Sequence, residues 1–225
     1  LILPIGLVWV ASNYIVLVNL YSFNPNPVIL LSPVFIYGLV EYLKNGKPVW
    51  IILAWFLGGA FFNFEMNFGI FIPAILLLSV FFVSKKYFKD KYLWLGLIVF
   101  AGTLLPQVLF DLRHNFIMSK SIIRFLSEGG ISYFSLSERI KTISDTFFNT
   151  FQATLMNHKL LSIIILIFIL ISLKRFVKAS RKDRAFLISL ILILVPFLGY
   201  LIMPVTVNGW HLGGPMAASL VLVGF

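Results

Sequence analysis

The sequence contains no cysteine, which excludes disulfide frameworks and thiolate metal sites and leaves the redox compartment unmarked. Charge is scarce. Only 12% of residues are charged, about half the ~25% of a soluble chain that must cover itself with water-compatible surface. Acid is scarcer still, with 8 Asp and Glu against 18 Lys and Arg. The three histidines, His114, His158 and His211, are isolated and show no metal-ligand spacing. Missing too are a Gly-rich phosphate loop, a nucleophile elbow and any internal repeat of about 20–50 residues. The strict polar–apolar alternation that a membrane strand needs over about 10 residues is also absent.

What is present is apolar. Hydrophobic residues make up 60% of the chain, mean hydropathy is +1.00 and there are 24 Phe, so lipid is expected to be the main solvent. The pattern predicts an all-α membrane protein with about seven complete spans, at roughly 1–21, 28–43, 48–62, 67–84, 92–110, 158–173 and 185–203, and a truncated eighth from 215. Several are shorter than the ~20 residues that cross a bilayer comfortably. The break at 63–67 decides the direction of everything after it. The chain opens at Leu1 and closes at Phe225 inside apolar runs, so it is expected to be the central part of a longer protein.

A net charge of +10 in a soluble protein would suggest nucleic acid. Here the basic residues lie in short clusters between apolar runs, as topogenic charges do, and no nucleic-acid partner is expected. With Leu1 cytoplasmic, 12 basic residues fall in three short loops around Lys44–Lys47, Lys85–Lys91 and Lys174–Arg184, and the other face holds six. The outer face then consists of 22–27, 63–67, 111–157 and 204–214. That asymmetry places any chemistry on the extracytoplasmic side.

Within the long outer connection, Met118, Ile122, Phe125 and Leu126 recur at helical spacing with Lys120 and Arg124 opposite, predicting a helix over 116–127. A second stripe of Leu136, Ile140, Ile143, Phe147 and Phe151 predicts another over 135–155, opened by a Ser135–Glu138 capping box. Both fit helices lying in the interface plane, or helices packed on another extracytoplasmic domain.

Polar groups near hydrocarbon are costly and each calls for a reason. Asn24 and Asn26 belong to Ser22-Phe23-Asn24-Pro25-Asn26-Pro27, which reads first as turn chemistry and second as a carboxamide pair facing an outer cavity. Glu65 is the only acid between Glu41 and Asp90. It sits with Asn67 among aromatics at a membrane boundary, either snorkelling to the interface or held by a partner. Arg113 and His114 follow Asp111. Either Asp111 pairs with Arg113 locally, or Arg113 and His114 present donors to an anionic headgroup.

In order along the chain, SFNPNP leads into a span ending in YLKNGK, a Gly-rich span leads into FLGGAFFNFEMNF, and a Pro-bearing span runs into PQVLFDLRHNF. This order resembles the central part of GT-C type multi-spanning glycosyltransferases, the group of protein O-mannosyltransferases and the lipid A aminoarabinose transferase. The resemblance covers most of the chain, with PQVLFDLRHNF the most specific of its patterns. It implies transfer of a sugar from a polyprenyl-phosphate donor to a glycan, lipid or protein acceptor at the outer membrane face. It also implies a catalytic carboxylate in a first outer loop upstream of Leu1, so no catalytic residue is expected among these 225. A divalent metal in the full-length protein is possible under the same resemblance, with no metal ligands assigned here. Asn24, Asn26, Glu65 and Asn67 would line the outer cavity, and Arg113 and His114 would sit near the donor phosphate. The chain departs from the family in having amides at Asn24 and Asn26 where relatives carry an acid, and Glu65 and Asn67 where many have Gln and His. An amide cannot act as a base at neutral pH. The rival readings are a transporter or flippase of lipid-linked precursors and a non-catalytic membrane assembly subunit.

Overall fold

The computed structural model describes residues 12, 14–16, 25–127, 135–155, 157–167, 171, 184–203 and 205–223. The described residues are helical, with no strand among them. In chain order the helices are α1 (Asn26–Asn45), α2 (Pro48–Phe64), the single turn α3 (Met66–Gly69), α4 (Ile72–Val83), α5 (Lys91–Thr103), α6 (Leu105–Arg113), α7 (Ile117–Ser127), α8 (Leu136–Thr154), α9 (Lys159–Ile167), α10 (Arg184–Ile202) and α11 (Gly213–Val223). Four stretches are long and apolar enough to cross a membrane: Asn26–Asn45, Met66–Val83, Lys91–Arg113 and Arg184–Ile202. The bent pair of α8 and α9 would make five, and α2 is a shorter apolar helix of 17 residues. The chain is a helical membrane protein. Of the expected spans, 1–21 lies almost entirely outside the described residues, as does the end of 158–173.

Local chemistry accounts for the helix boundaries. Proline stands at the first or second position of α1, α2, α4 and α6, where its missing N–H and fixed φ cost nothing. Gly46 ends α1 at φ 67° and donates its N–H to the Tyr42 carbonyl, a left-handed cap that glycine adopts without penalty. Asp90 caps α5 by accepting from the Tyr92 N–H at 3.0 Å. Its other oxygen accepts from the Tyr42 hydroxyl at 2.8 Å, tying the last turns of α1 to the loop before α5.

The break at 63–67 is a reversal. A Cβ on Gly69 would fall 2.2 Å from the Cα of Phe62, and one on Gly58 would fall 2.3 Å from the Ile72 side chain. Paired positions therefore step outward from residue 65 in opposite senses, as in an antiparallel hairpin. α2 and α5 run parallel instead: Gly96 meets Trp55 and Gly59 meets Thr103, both numbers rising together. Small residues let these helices approach closely, the usual solution where lipid gives no hydrophobic drive for helix association.

These directions sort the loops into two ends. Lys44, Lys47, Lys85, Lys86, Lys89 and Lys91 share the end tied by Tyr42, Tyr87 and Asp90, and α10 starts from that end with Arg184. At the opposite end the turn at residue 65, the last turn of α10 and the 205–212 segment meet.

Of the two expected amphipathic helices, α7 and α8 match the predicted ranges closely. The Ser135–Glu138 capping box is present, with the Ser135 N–H donating to Glu138 at 2.9 Å and the Glu138 N–H donating to Ser135 at 3.3 Å. α8 packs on this chain's own bundle: Ile143, Thr150, Phe151 and Thr154 are buried, and Phe147 meets Phe197 of α10 edge-on at 5.2 Å. Arg139 donates twice to the Tyr200 carbonyl, at 2.9 and 3.2 Å.

Two glycines test the helix packing. Gly69→Ala must displace the Phe62 backbone and is expected to lower stability by about 1–3 kcal/mol. Gly102 meets nothing within 4 Å, so Gly102→Ala is expected to be neutral or to gain up to ~1 kcal/mol from helix propensity. Thermal unfolding in detergent separates them, and equal midpoints for the two variants would refute the tight reversal.

Candidate functional site

At the end opposite the basic loops, Glu65 occupies the single residue between α2 and α3. Its N–H donates to the Phe61 carbonyl at 2.7 Å, closing α2. Its carboxylate accepts from the Asn67 N–H at 3.2 Å, capping α3. One residue thus serves two helix ends, a structural reason for an acid here. The side chain is buried, and desolvation pushes its pKa above the ordinary carboxylate range, opposed by hydrogen bonds from Asn67.

Asn67 turns from Glu65 toward His211, the carboxamide nitrogen standing 3.2 Å from Nε2. The imidazole Nδ1 faces the backbone N–H of Asn208 at 3.2 Å. That N–H can only donate, so Nδ1 is the acceptor and the neutral ring carries its proton on Nε2. Nε2–H then needs an acceptor, which the Asn67 carboxamide provides when its oxygen is turned to the ring, an amide orientation assigned from the network. The Asn67 backbone N–H in turn donates to the Glu65 carboxylate. The result is a directional chain: Asn208 N–H to His211, His211 N–H to Asn67, Asn67 N–H to the Glu65 carboxylate. His211 is 6% exposed and desolvation lowers its pKa to about 4, consistent with a ring nitrogen that faces a donor.

Two tyrosines close the network. The Tyr200 hydroxyl donates to the Asn67 carbonyl at 3.1 Å and lies 3.4 Å from the His211 carbonyl. The Tyr14 hydroxyl donates to the Gly209 carbonyl at 2.7 Å. Beside them, Gln107 donates to Asn63 at 3.0 Å, and the Asn63 amide donates to the carbonyls of Gly59 and Thr103 at 2.8 and 3.0 Å. Trp210 stands exposed on the adjoining turn, edge-on to His211.

The expected site residues are therefore distributed unevenly. Glu65 and Asn67 meet each other and His211. Asn26 opens α1, whose first turn touches the 213 region through Ile29 and Gly213. Asn24 lies outside the described residues. Arg113 and His114 end α6, exposed and on a separate arm. His114 donates from Nδ1 to the Phe110 carbonyl at 2.7 Å and stacks on the Phe110 ring. Asp111 does not pair with Arg113. It accepts from the Met118 N–H at 2.7 Å, the Ser119 N–H at 3.2 Å and the Ser119 hydroxyl, capping α7 across a tight elbow in which Asn115 and Phe116 adopt positive φ.

His211 reads as isolated in the sequence because its partner is 144 residues away. The signal in the sequence is that the basic clusters put 204–214 and 63–67 on one face. Among the described residues no three His, Asp or Glu side chains gather closely enough to hold a metal ion. No protein-family model, curated protein or solved structure matches the chain.

The lowered His211 pKa has a stability consequence. The unfolded chain binds the imidazole proton near the ordinary value of 6.5, whereas the folded chain resists it until about 4. Stability is therefore lost as pH falls from about 6.5 toward 4. His211→Gln is expected to flatten that decline by up to one proton, ~1.4 kcal/mol per pH unit. A pH series of unfolding midpoints with parallel wild-type and variant slopes would rule this out.

Proposed function

We propose that the chain is the membrane core of a glycosyltransferase that takes a sugar from a polyprenyl-phosphate donor at the extracytoplasmic face. In this reading it contributes seven complete spans and part of an eighth, with the basic loops cytoplasmic. The supporting observation is the convergence, at the end opposite those loops, of a buried carboxylate, a carboxamide and an imidazole in one hydrogen-bonded chain. Carboxylate and carboxamide groups suit the paired donors and acceptors of sugar hydroxyls, and the resemblance carried by FLGGAFFNFEMNF and PQVLFDLRHNF names the donor class.

The roles follow from position. Glu65 and Asn67 hold hydroxyls of the sugar, and His211 fixes the Asn67 amide rather than exchanging protons, because its proton is committed to Nε2. Arg113, exposed at the end of α6, offers charge to the departing lipid phosphate. The general base implied by the resemblance is not among these residues. A transporter would be expected to hide its polar groups near mid-bundle, in broken helices. Here they gather at one end, which favours transfer over transport.

Two experiments bear on this reading. Liposomes holding the full-length protein and a polyprenyl-phosphate sugar are expected to yield glycosylated acceptor, with Glu65→Gln and Arg113→Ala each lowering turnover at least about tenfold, the scale of one lost charge-assisted contact. Unchanged turnover in both variants would sink the site assignment, and lipid movement without transfer would favour a flippase. Sidedness is tested separately. Because the chain has no native cysteine, Ser84→Cys and Asn115→Cys can be labelled singly, and an impermeant maleimide added outside intact cells is expected to reach position 115 and not 84. The reverse pattern would invert the topology.

A further inference from the structure

At the basic end of the bundle, the start of α2 carries chemistry that neither the helix packing nor the polar network uses. α2 begins at Pro48 with Lys47 in the cap position, and no side chain caps it. Pro48 has no N–H of its own. The Val49 N–H finds no acceptor among the described residues, and Val49 is exposed. A helix of 17 residues left open in this way presents partial positive charge to whatever adjoins its first turn. The parallel helix α5 starts at the same end but is closed by Asp90.

A second group stands at the same place. Tyr87 is only 9% exposed, packed between the Tyr42 ring, 4.7 Å away, and Gly46. A Cβ on Gly46 would lie 3.3 Å from the Tyr87 hydroxyl oxygen, so the hydroxyl stands against the residue that precedes Lys47. It makes no hydrogen bond among the described residues, whereas the Tyr42 hydroxyl beside it is bonded to Asp90. A hydroxyl on a side chain this buried needs an acceptor, and here the protein supplies none. The Lys86 ammonium lies over the same ring, 4.9 Å from its centre.

The carboxylates of this end are occupied elsewhere. Asp90 accepts from the Tyr42 hydroxyl with one oxygen and from the Tyr92 N–H with the other. Glu41 accepts from the Asn45 carboxamide at 2.6 Å, one turn back along α1. Both negative charges count, yet residues 41–47 and 84–92 together hold six lysines against these two acids, a surplus of four positive charges. An open helix start, a hydroxyl without an acceptor and a placed ammonium together suit a phosphate.

We propose that the meeting point of the α1–α2 and α4–α5 loops binds the phosphate of an anionic phospholipid, which accepts from the Val49 N–H and the Tyr87 hydroxyl and faces the Lys86 ammonium. The source of the phosphate follows from depth. Asn26–Asn45 and Met66–Val83 end here and Lys91–Arg113 begins here, all three long and apolar enough to cross a membrane, so the loops lie at headgroup level. Phe81, Phe82 and Trp94 stand exposed on the membrane side of the same loops, where acyl chains run. The assignment is independent of the reaction carried out at the opposite end.

The test is lipid retention by the full-length protein, read by native mass spectrometry after incubation with equimolar phosphatidylglycerol and phosphatidylcholine, with and without excess inorganic phosphate. Wild type is expected to retain phosphatidylglycerol in preference to phosphatidylcholine. Tyr87→Phe, which keeps the ring against Tyr42 and Gly46, is expected to lower that retention about tenfold, the scale of one hydrogen bond to a charged group. Lys86→Gln is expected to lower it about fivefold, the scale of one cation at an anionic surface. Lys85→Gln, whose ammonium lies over Phe81 instead, is expected to have the smaller effect. Because Lys86 is exposed, the thermal midpoint of the lipid-stripped Lys86→Gln protein is expected to match wild type. Equal retention of the two phospholipids by wild type would overturn the proposal. So would equal losses in the two lysine variants with none in Tyr87→Phe, which would leave only a diffuse attraction of lysines for the membrane. Displacement of the lipid by inorganic phosphate would also overturn it, by making the ligand a soluble anion.

Discussion

A chain that reverses in a low-dielectric bundle strands backbone carbonyls at the end of one helix and amides at the start of the next, and each must find a partner inside the protein. At residue 65 the Glu65 amide answers the first helix and its carboxylate the second. The close approach of Gly69 to Phe62 then leaves no room for a looser turn. Because Asn67 is placed by this reversal, so are the contacts it makes with His211 and Tyr200. The C-terminal helices are thereby registered against the N-terminal ones through a few atoms at one end.

The opposite end is held by different means. There the Tyr42 hydroxyl reaches Asp90 and the Tyr42 and Tyr87 rings lie 4.7 Å apart, while the lysines around them stay in water. Lys85 and Lys86 lie over the rings of Phe81 and Tyr87, contacts that suit amphipathic side chains at a membrane boundary. The two ends differ in what they bury: aromatic packing at the basic end, a directional hydrogen-bond chain at the other. A buried polar chain with every member satisfied specifies one arrangement, and a half-satisfied one would destabilise it.

Much of this was legible in the sequence, and what was not has a common cause. The starts and ends of α1, α2, α7, α8 and α10 follow from hydropathy runs, prolines and the Ser135–Glu138 box, all local signals. The reversal at 63–67 was readable because the basic clusters require it. His211 could not be assigned to Asn67, since a hydrogen bond between residues 67 and 211 depends on how the intervening helices pack. Adjacency makes an Asp111–Arg113 pair one of the two readings of that motif. The structure turns it to the start of α7, because orphan amides at a helix start compete strongly for a carboxylate. The apolar stripe of α8 was correctly found, but periodicity does not say what covers it, and here helix α10 does.

The parallel run of α2 and α5 carries an electrostatic consequence. Antiparallel neighbours largely cancel each other's macrodipoles, but two parallel helices add theirs, so both carboxyl-terminal ends point their partial negative charge toward the polar end. The Asn63 amide, donating to one carbonyl from each helix, softens that field at its most concentrated point. The amino-terminal ends of α1 and α4 face the same pole with the opposite sign. Ends of both signs are therefore gathered at this pole, each carried by a different pair of helices.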